Sequence, residues 1–333
     1  MEYRYLGRTG LRISAVSLGA QTFGWSVQRD RAFALLDQFL DAGGNYIDAA
    51  DSYNQGESER IVGEWIKARQ VRNRLLVGTK VFFPTGSGPN DAGLSRKHLQ
   101  QSLEESLRRL GTDVVDLYQL HCYDRMTPLD ETLRALDDLV RAGKVRYLGA
   151  SNFAPSHLQK AIMLSAARGL APVACLQLEY SLLVRSSEWE LLPQCLEEGV
   201  GTLAWSPLAG GWLSGKYKRG QPLPPDSRAG KGDRWDDAAE QRGGERTYAI
   251  LDVLRRAAEE ADHTPAQVAL AWMLQRRRVT SALIGARTPE QLTDNLGAGE
   301  VRLAEHQLEA LDQVSRVEPP YPYAFIDRYT RKG

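Results

Sequence analysis

A unit of one short apolar strand followed by one helix recurs along almost the whole chain. Ala15–Gly19, Tyr46–Asp48 and Leu75–Lys80 are the first predicted strands, and helical spacing of apolar residues or helix-favouring sequence follows each of them. Strands that alternate with helices pair in parallel through right-handed crossovers. The strand candidates number roughly eight, which is the number that closes a (β/α)8 barrel. We therefore predict an α/β fold of the TIM-barrel type.

An N-terminal β-hairpin precedes these units, because Tyr3–Leu6 and Leu11–Ile13 flank a turn that contains glycine. The remaining predicted strands are Val114–His121, Val145–Ser151, Val173–Leu178, Gly201–Trp205 and Ser281–Ile284. The predicted helices are Arg31–Leu40, Glu59–Arg69, Arg96–Leu110 with Ser95 as its N-cap, Leu129–Arg141, Pro155–Arg168, Trp189–Glu198, Arg246–Ala261, Pro265–Gln275, Pro289–Leu296 and a last one at Ala304–Val314.

An open, doubly wound sheet is the alternative fold. Such a sheet usually carries a GxGxxG turn after its first strand, and the segment Gly19–Gly24 lacks that spacing. The long stretch 209–244 fits a functional loop better than a linker, because a strand and helices still follow it. We therefore expect a single domain over residues 1–333, with a C-terminal tail from about residue 316 that is rich in Pro and Tyr.

The charge and cysteine content exclude several classes of function. The 42 basic and 42 acidic residues cancel, so the sequence offers no case for a nucleic-acid or membrane partner. Cys122, Cys175 and Cys195 have no CxxC spacing, which is typical of reduced thiols in a cytoplasmic protein. No apolar run is long enough to cross a bilayer, and no HxxxH or His/carboxylate spacing indicates a metal.

Titratable side chains lie at the ends of three successive predicted strands. Asp48, Lys80 and His121 hold these positions, and Tyr53 lies in the loop after Asp48. Each has an ordinary alternative: a helix cap, a solvated strand end, a core histidine or a surface-loop tyrosine. The carboxyl ends of the strands form the active site of this class of barrel, so the four together indicate a reaction centre.

These four side chains suit proton donation to an oxygen. A phenol with a pKa near 10 is a weak acid at neutral pH. An adjacent ammonium such as that of Lys80 stabilises the phenolate, and Asp48 can hold the ammonium in place. His121 can orient a carbonyl oxygen. None of the four is a good nucleophile for the carbonyl carbon, so the missing reactant is most simply a hydride, which a cofactor must supply.

The sequence resembles the aldo-keto reductases from Tyr3 to about the last helix. Short segments carry the resemblance through their order and spacing: Asn45–Ala50 with Tyr53, Gly78–Lys80, Asp116–His121, Gly149–Phe153, Gln177–Tyr180, Trp205–Gly211 and Ile284–Leu292. The resemblance implies a barrel whose floor is closed by the hairpin, with NADPH extended across its top. It also implies that Tyr53 is the general acid, that Lys80 and Asp48 assist it, and that His121 orients the carbonyl.

The same resemblance implies a set of cofactor contacts. Ser151, Asn152 and Gln177 match the positions that hold the nicotinamide carboxamide, and Trp205 matches the aromatic side chain that stacks on its ring. The pyrophosphate path would comprise Ser206, Pro207, Leu208 and Gly210, with Lys216 and Arg228 as its cationic clamp. Arg287, Gln291 and Asn295 match the 2′-phosphate and adenine site, where a permanently charged guanidinium suits a phosphate. Gln21, Asp48 and Gly285 complete the predicted cofactor contacts.

Three functions stay open from the sequence. The first is NADPH-dependent reduction of aldehydes or ketones to alcohols, which is reversible. The second is a slow or non-catalytic redox-sensing subunit, because the nearest resemblance is to the branch that includes the potassium-channel β subunits. The third is a cofactor-free isomerase or hydrolase that uses Asp48 and His121. A substrate pocket for an aromatic or apolar carbonyl is predicted at Gln21, Phe23, Trp25, Phe82, Phe83 and Cys122.

Overall fold

The computed structural model describes residues 1–225, 227 and 243–330. Eight parallel strands close into a barrel: β3 (Val16–Gly19), β4 (Tyr46–Asp48), β5 (Leu76–Val81), β6 (Val115–Leu120), β7 (Val145–Ser151), β8 (Val173–Glu179), β9 (Gly201–Trp205) and β10 (Ser281–Ile284). Their order around the barrel is β10-β3-β4-β5-β6-β7-β8-β9. The predicted barrel is confirmed, and every predicted strand is present within two residues of its expected ends.

The hairpin of β1 (Tyr3–Tyr5) and β2 (Arg12–Ser14) is antiparallel and lies against the amino-terminal end of the barrel. The Arg4 guanidinium donates to the carbonyl oxygens of Val279 (2.8 Å) and Leu274 (2.7 Å), near the start of β10. Gly7, at φ +58°, brings its Cα so close to β9 that an added Cβ would lie 2.4 Å from the Gly199 carbonyl oxygen. The hairpin therefore closes the floor of the barrel and leaves the carboxyl ends of the strands for the site.

Helices surround the barrel, and the main apolar core lies between them and the strands. They are α1 (Arg29–Asp41), α2 (Glu57–Arg69), α3 (Arg96–Leu110), α4 (Leu129–Arg141), α5 (Pro155–Arg168), α6 (Leu191–Glu198), α7 (Glu245–Ala261), α8 (Pro265–Leu274), α9 (Pro289–Gly297), α10 (Glu305–Ser315) and α11 (Tyr323–Tyr329). Ser95 caps α3 as predicted, since its hydroxyl accepts from the His98 amide. In the described part of the chain, no helix is both long and apolar enough to cross a membrane.

The predicted helix at Ala304–Val314 is confirmed as α10, but the prediction that it is the last helix was wrong. A seven-residue helix, α11, forms in the tail, and its aromatic side chains Phe325 and Tyr329 are 56% and 65% exposed. Such a helix has no buried apolar face, so the usual periodic pattern of apolar residues does not reveal it.

Candidate active site

The carboxyl ends of β4 and β5 bring Asp48 and Lys80 together inside the barrel. Lys80 has no solvent exposure, and its ammonium donates to Asp48 Oδ2 at 2.6 Å, to the Ala49 carbonyl oxygen at 2.8 Å and to the Tyr53 hydroxyl at 3.1 Å. The ammonium also lies 4.7 Å from the centre of the Tyr53 ring. Lys80 is therefore not a solvated residue at a strand end. Its ammonium links the Asp48 carboxylate and the Tyr53 phenol into one hydrogen-bonded series.

Two side chains that the sequence reasoning missed hold the other oxygen of Asp48. Oδ1 accepts from the Tyr46 hydroxyl at 2.8 Å, from Gln119 Nε2 at 2.9 Å and from Gln177 Nε2 at 3.1 Å. Tyr46 and Gln119 stand two residues before Asp48 and His121, and alternation along a strand points such pairs to the same face. That spacing is the signal that could have found them. Gln177, expected at the nicotinamide, also contacts this carboxylate.

Two glycines make room for this polar layer. A Cβ on Gly78 would lie 2.2 Å from the Tyr46 hydroxyl oxygen. A Cβ on Gly149 would lie 2.8 Å from Cγ of Gln119 and 2.9 Å from Sγ of Cys175. Any side chain at either position would displace Tyr46 or Gln119 and, through them, the Asp48 carboxylate.

The electrostatics assign opposite states to the lysine and the histidine. Burial alone would lower the pKa of Lys80, but the Asp48 carboxylate and Tyr53 outweigh it, so the pKa is raised and the ammonium persists. Burial, together with the Lys80 charge, holds the pKa of His121 well below its ordinary value. At neutral pH the site therefore contains a charged Lys80 beside a neutral imidazole.

His121 follows β6 directly and faces two aromatic rings. Its ring centre lies 5.7 Å from that of Tyr53 and 4.8 Å from that of Phe83, both at steep angles. Its Nδ1 is buried and makes no hydrogen bond to any residue within the described ranges. Buried polar atoms are normally paired, so an unpaired nitrogen here is available to a ligand. This observation argues against a satisfied core histidine.

The predicted nicotinamide contacts lie at or near the carboxyl ends of the neighbouring strands β7, β8 and β9. Ser151 is the buried last residue of β7, and Asn152, at φ 54°, donates from Nδ2 to the His121 carbonyl oxygen at 2.8 Å. Trp205 ends β9, and its buried indole nitrogen lacks a hydrogen-bond partner within the part of the chain that is described. The rim beside Tyr53 and His121 therefore offers donors and a flat aromatic side chain to a planar group.

The loop after β9 has the backbone and charge that suit a pyrophosphate. Ser206, Ala209, Gly210 and Gly211 all have positive φ, between 49° and 92°. The Lys216 ammonium lies against this loop, because a Cβ on Gly211 would be 2.6 Å from it. Pro207 and Leu208 lie within the same loop. Arg228, predicted as part of the cationic clamp, lies outside the described residues.

The start of α9 gathers the residues predicted at the adenine end. The Arg287 amide donates to Gln291 Oε1 at 2.9 Å, and Asn295 Nδ2 donates to the Gly285 carbonyl oxygen at 3.3 Å. Thr288 caps the helix by accepting from the Gln291 amide. A helix N-terminus with an adjacent guanidinium favours a phosphate.

The predicted pocket residues lie in three different places: beside His121, on the exposed part of the loop 20–27, and in the core. Phe82 and Phe83 pack edge to face 5.3 Å apart, with Phe83 also against His121, and the half-buried Cys122 follows that histidine. Trp25, on the loop with Gln21, is 45% exposed. Phe23 is fully buried in the main core. The prediction that Phe23 lines a pocket is therefore wrong, because its ring already packs against the core.

Comparison with known proteins agrees with this geometry. Residues 15–316 match the model of the Aldo/keto reductase family. The chain belongs to the aldo/keto reductase family. This aldo/keto reductase is also 39% identical to the uncharacterized oxidoreductase YrpG of Bacillus subtilis (strain 168) over 333 aligned positions, which cover 94% of this chain and 96% of that protein. The family and the relative together establish the protein as an oxidoreductase.

Proposed function

We propose that the protein is an NADPH-dependent reductase that converts aldehydes or ketones to alcohols, reversibly. One observation carries the proposal: a fully buried ammonium, held by Asp48, lies 3.1 Å from the Tyr53 hydroxyl, and His121 Nδ1 at the same rim has no hydrogen-bond partner among the residues that the structure describes. This arrangement can deliver a proton to an oxygen, and the family match and the oxidoreductase relative support a redox reaction.

The chain's own residues would handle the oxygen of the substrate. The neutral imidazole of His121 would donate a hydrogen bond to the carbonyl oxygen and hold it beside Tyr53. Tyr53 would then give its proton to that oxygen as negative charge develops there. The phenolate left behind lies next to the Lys80 ammonium, which stabilises it. Asp48 acts through Lys80 by keeping the ammonium charged and in place.

The residues at the rim fit a dinucleotide phosphate. Trp205 offers an aromatic face, and its indole nitrogen has no partner within the described ranges. The left-handed loop with Lys216 offers a positive charge, and Arg287 at the start of α9 offers a guanidinium. When bound, NADPH would supply the hydride for the carbonyl carbon. Ser151, Asn152 and Gln177 would hold its carboxamide, with Arg287, Gln291 and Asn295 at the 2′-phosphate.

The test is NADPH oxidation with a panel of aryl and alkyl aldehydes, in the parent and in Tyr53→Phe. We expect the substitution to lower kcat by at least about 100-fold, since it removes the general acid. The Kd for NADPH, measured by fluorescence quenching, should stay close to that of the parent. Tyr5→Phe, at an exposed tyrosine of the hairpin, is the matched control and should be silent.

Three other outcomes would contradict this proposal, and each would favour a different explanation. Full activity in Tyr53→Phe would remove Tyr53 as the acid. Tight NADPH binding with no turnover of any carbonyl would favour the redox-sensing subunit. An absence of NADPH binding would favour a cofactor-free reaction at Asp48 and His121.

A further inference from the structure

The turn that carries Tyr53 has an unusual backbone. Asn54, Gln55 and Gly56 follow it, and all three have positive φ, of 50°, 56° and 83°. Only glycine adopts this region freely, although asparagine tolerates it better than other side chains. Two consecutive non-glycine residues in this conformation persist only where their surroundings hold them there.

The Asn54 side chain supplies such a hold. Its Nδ2 donates both hydrogens to main-chain carbonyls of the loop between β3 and α1: to Gln21 O at 3.0 Å and to Phe23 O at 2.7 Å. An amide group has two donor hydrogens, so both are used in this one contact. The Phe23 side chain is fully buried in the core, so the Phe23 carbonyl oxygen, which is the second acceptor, has a fixed position.

Nearby contacts tie the same two segments together. The Ser58 hydroxyl donates to the Ala20 carbonyl oxygen at 2.7 Å. A Cβ on Gly24 would lie 2.6 Å from Cγ of Glu57. Ser58 and Glu57 are in the first turn of α2, whereas the Asn54 side chain makes its contacts from within the turn itself, between Tyr53 and that helix.

We infer that Asn54 is a positioning residue, which holds the Tyr53 hydroxyl at the Lys80 ammonium by tying its turn to the loop 20–27. This inference rests on the proposed function for the role of Tyr53. One peptide bond joins the backbone of Tyr53 to that of Asn54, and the Tyr53 hydroxyl lies 3.1 Å from Lys80 Nζ. Release of Asn54 would free the turn and move the phenol away from the ammonium.

Two variants separate the side-chain contact from the backbone conformation. Asn54→Gly adopts positive φ without strain and removes both hydrogen bonds. Asn54→Asp keeps the size of the side chain but turns acceptor oxygens toward two carbonyls. Gln55→Gly is the matched control, since it relieves the neighbouring left-handed position and its side chain is exposed.

Three measurements test how these substitutions affect the position of Tyr53. We expect kcat for carbonyl reduction to fall about 10- to 100-fold in Asn54→Gly, as displacement of a reacting group by about 1 Å does, and further in Asn54→Asp. The titration midpoint of Tyr53, followed by NMR of ring-labelled tyrosine, should move to higher pH as the phenol leaves Lys80. Amides in residues 20–27 should exchange faster with solvent. Gln55→Gly should match the parent in all three.

The inference is overturned if Asn54→Gly keeps kcat within twofold of the parent, because the backbone conformation alone would then suffice. It is also overturned if the Tyr53 titration or the exchange of residues 20–27 is unchanged, since the loss would then arise elsewhere. A parent that reduces no carbonyl refutes the proposed function instead. The titration and the exchange then still decide whether Asn54 holds the turn.

Discussion

Replacement of Lys80 by methionine tests the site most directly, because it removes a buried charge and keeps most of the side-chain volume. A unit charge 3.1 Å from the phenolate oxygen contributes about 5 kcal/mol at an effective dielectric constant near 20, and the Asp48 carboxylate offsets part of this. If roughly half of the remainder, about 1.5–2.5 kcal/mol, acts in the transition state, kcat falls about 10- to 70-fold. The substitution also leaves Asp48 buried without its counter-ion, which costs about 3–5 kcal/mol of stability.

The double variant Lys80→Met with Asp48→Asn separates these two effects. The introduced carboxamide keeps an oxygen for the donors Tyr46, Gln119 and Gln177 and carries no charge, so the free energy of unfolding should recover by about 2 kcal/mol or more. The rate should not recover, since the ammonium is still missing. Urea unfolding and steady-state NADPH oxidation measure the two quantities, with Lys97→Met on the surface of α3 as control. A Lys80→Met enzyme within tenfold of the parent kcat, or a double variant that regains the rate, would refute the electrostatic role of Lys80.

Three further changes have defined outcomes. Gly78→Ala should destabilise the fold by about 1–3 kcal/mol and lower kcat, because its Cβ would lie 2.2 Å from the Tyr46 hydroxyl oxygen; Gly10→Ala, with open space around it, should do neither in the same assays. Burial raises the pKa of Asp51 to about 7 from 3.8, so the unfolded state ionises first, and stability should fall by about 1.4 kcal/mol per unit as pH rises from about 4 to 7. Asp51→Asn should remove that slope in urea unfolding at a series of pH values, and an unchanged slope would contradict the assignment. Arg287→Ala should reduce the preference for NADPH over NADH about 10- to 100-fold in measured Kd values, as loss of a charged hydrogen bond does, and equal affinities in the parent would remove that role.

The barrel and the clustering of the four polar side chains at one rim were predictable because both follow from local rules. Strands such as Tyr46–Asp48 end in polar residues where they leave the core, and in a parallel barrel all of those ends meet at one rim. Once Asp48, Lys80 and His121 were assigned to strand ends, their closeness followed from the topology. The register of β4 against β5, with Asp48 opposite Gly78, brings the lysine two residues further on to the carboxylate.

The supports of the site could not be predicted in the same way, because they depend on contacts between distant segments. Gln119 looks like any polar residue in an apolar strand until β4 and β6 are placed in one barrel, where its amide reaches Asp48 across 71 positions of sequence. Asn54 looks like an ordinary turn residue until its left-handed backbone turns the amide toward two carbonyls more than 30 positions away. Local patterns therefore predict which side chains meet at the rim, whereas the hydrogen bonds that hold those side chains in place arise only from the closed fold. Substitutions of such supporting residues, for example Gln119 or Asn54, should lower kcat more than they lower the stability of the fold, because the apolar core maintains the barrel itself.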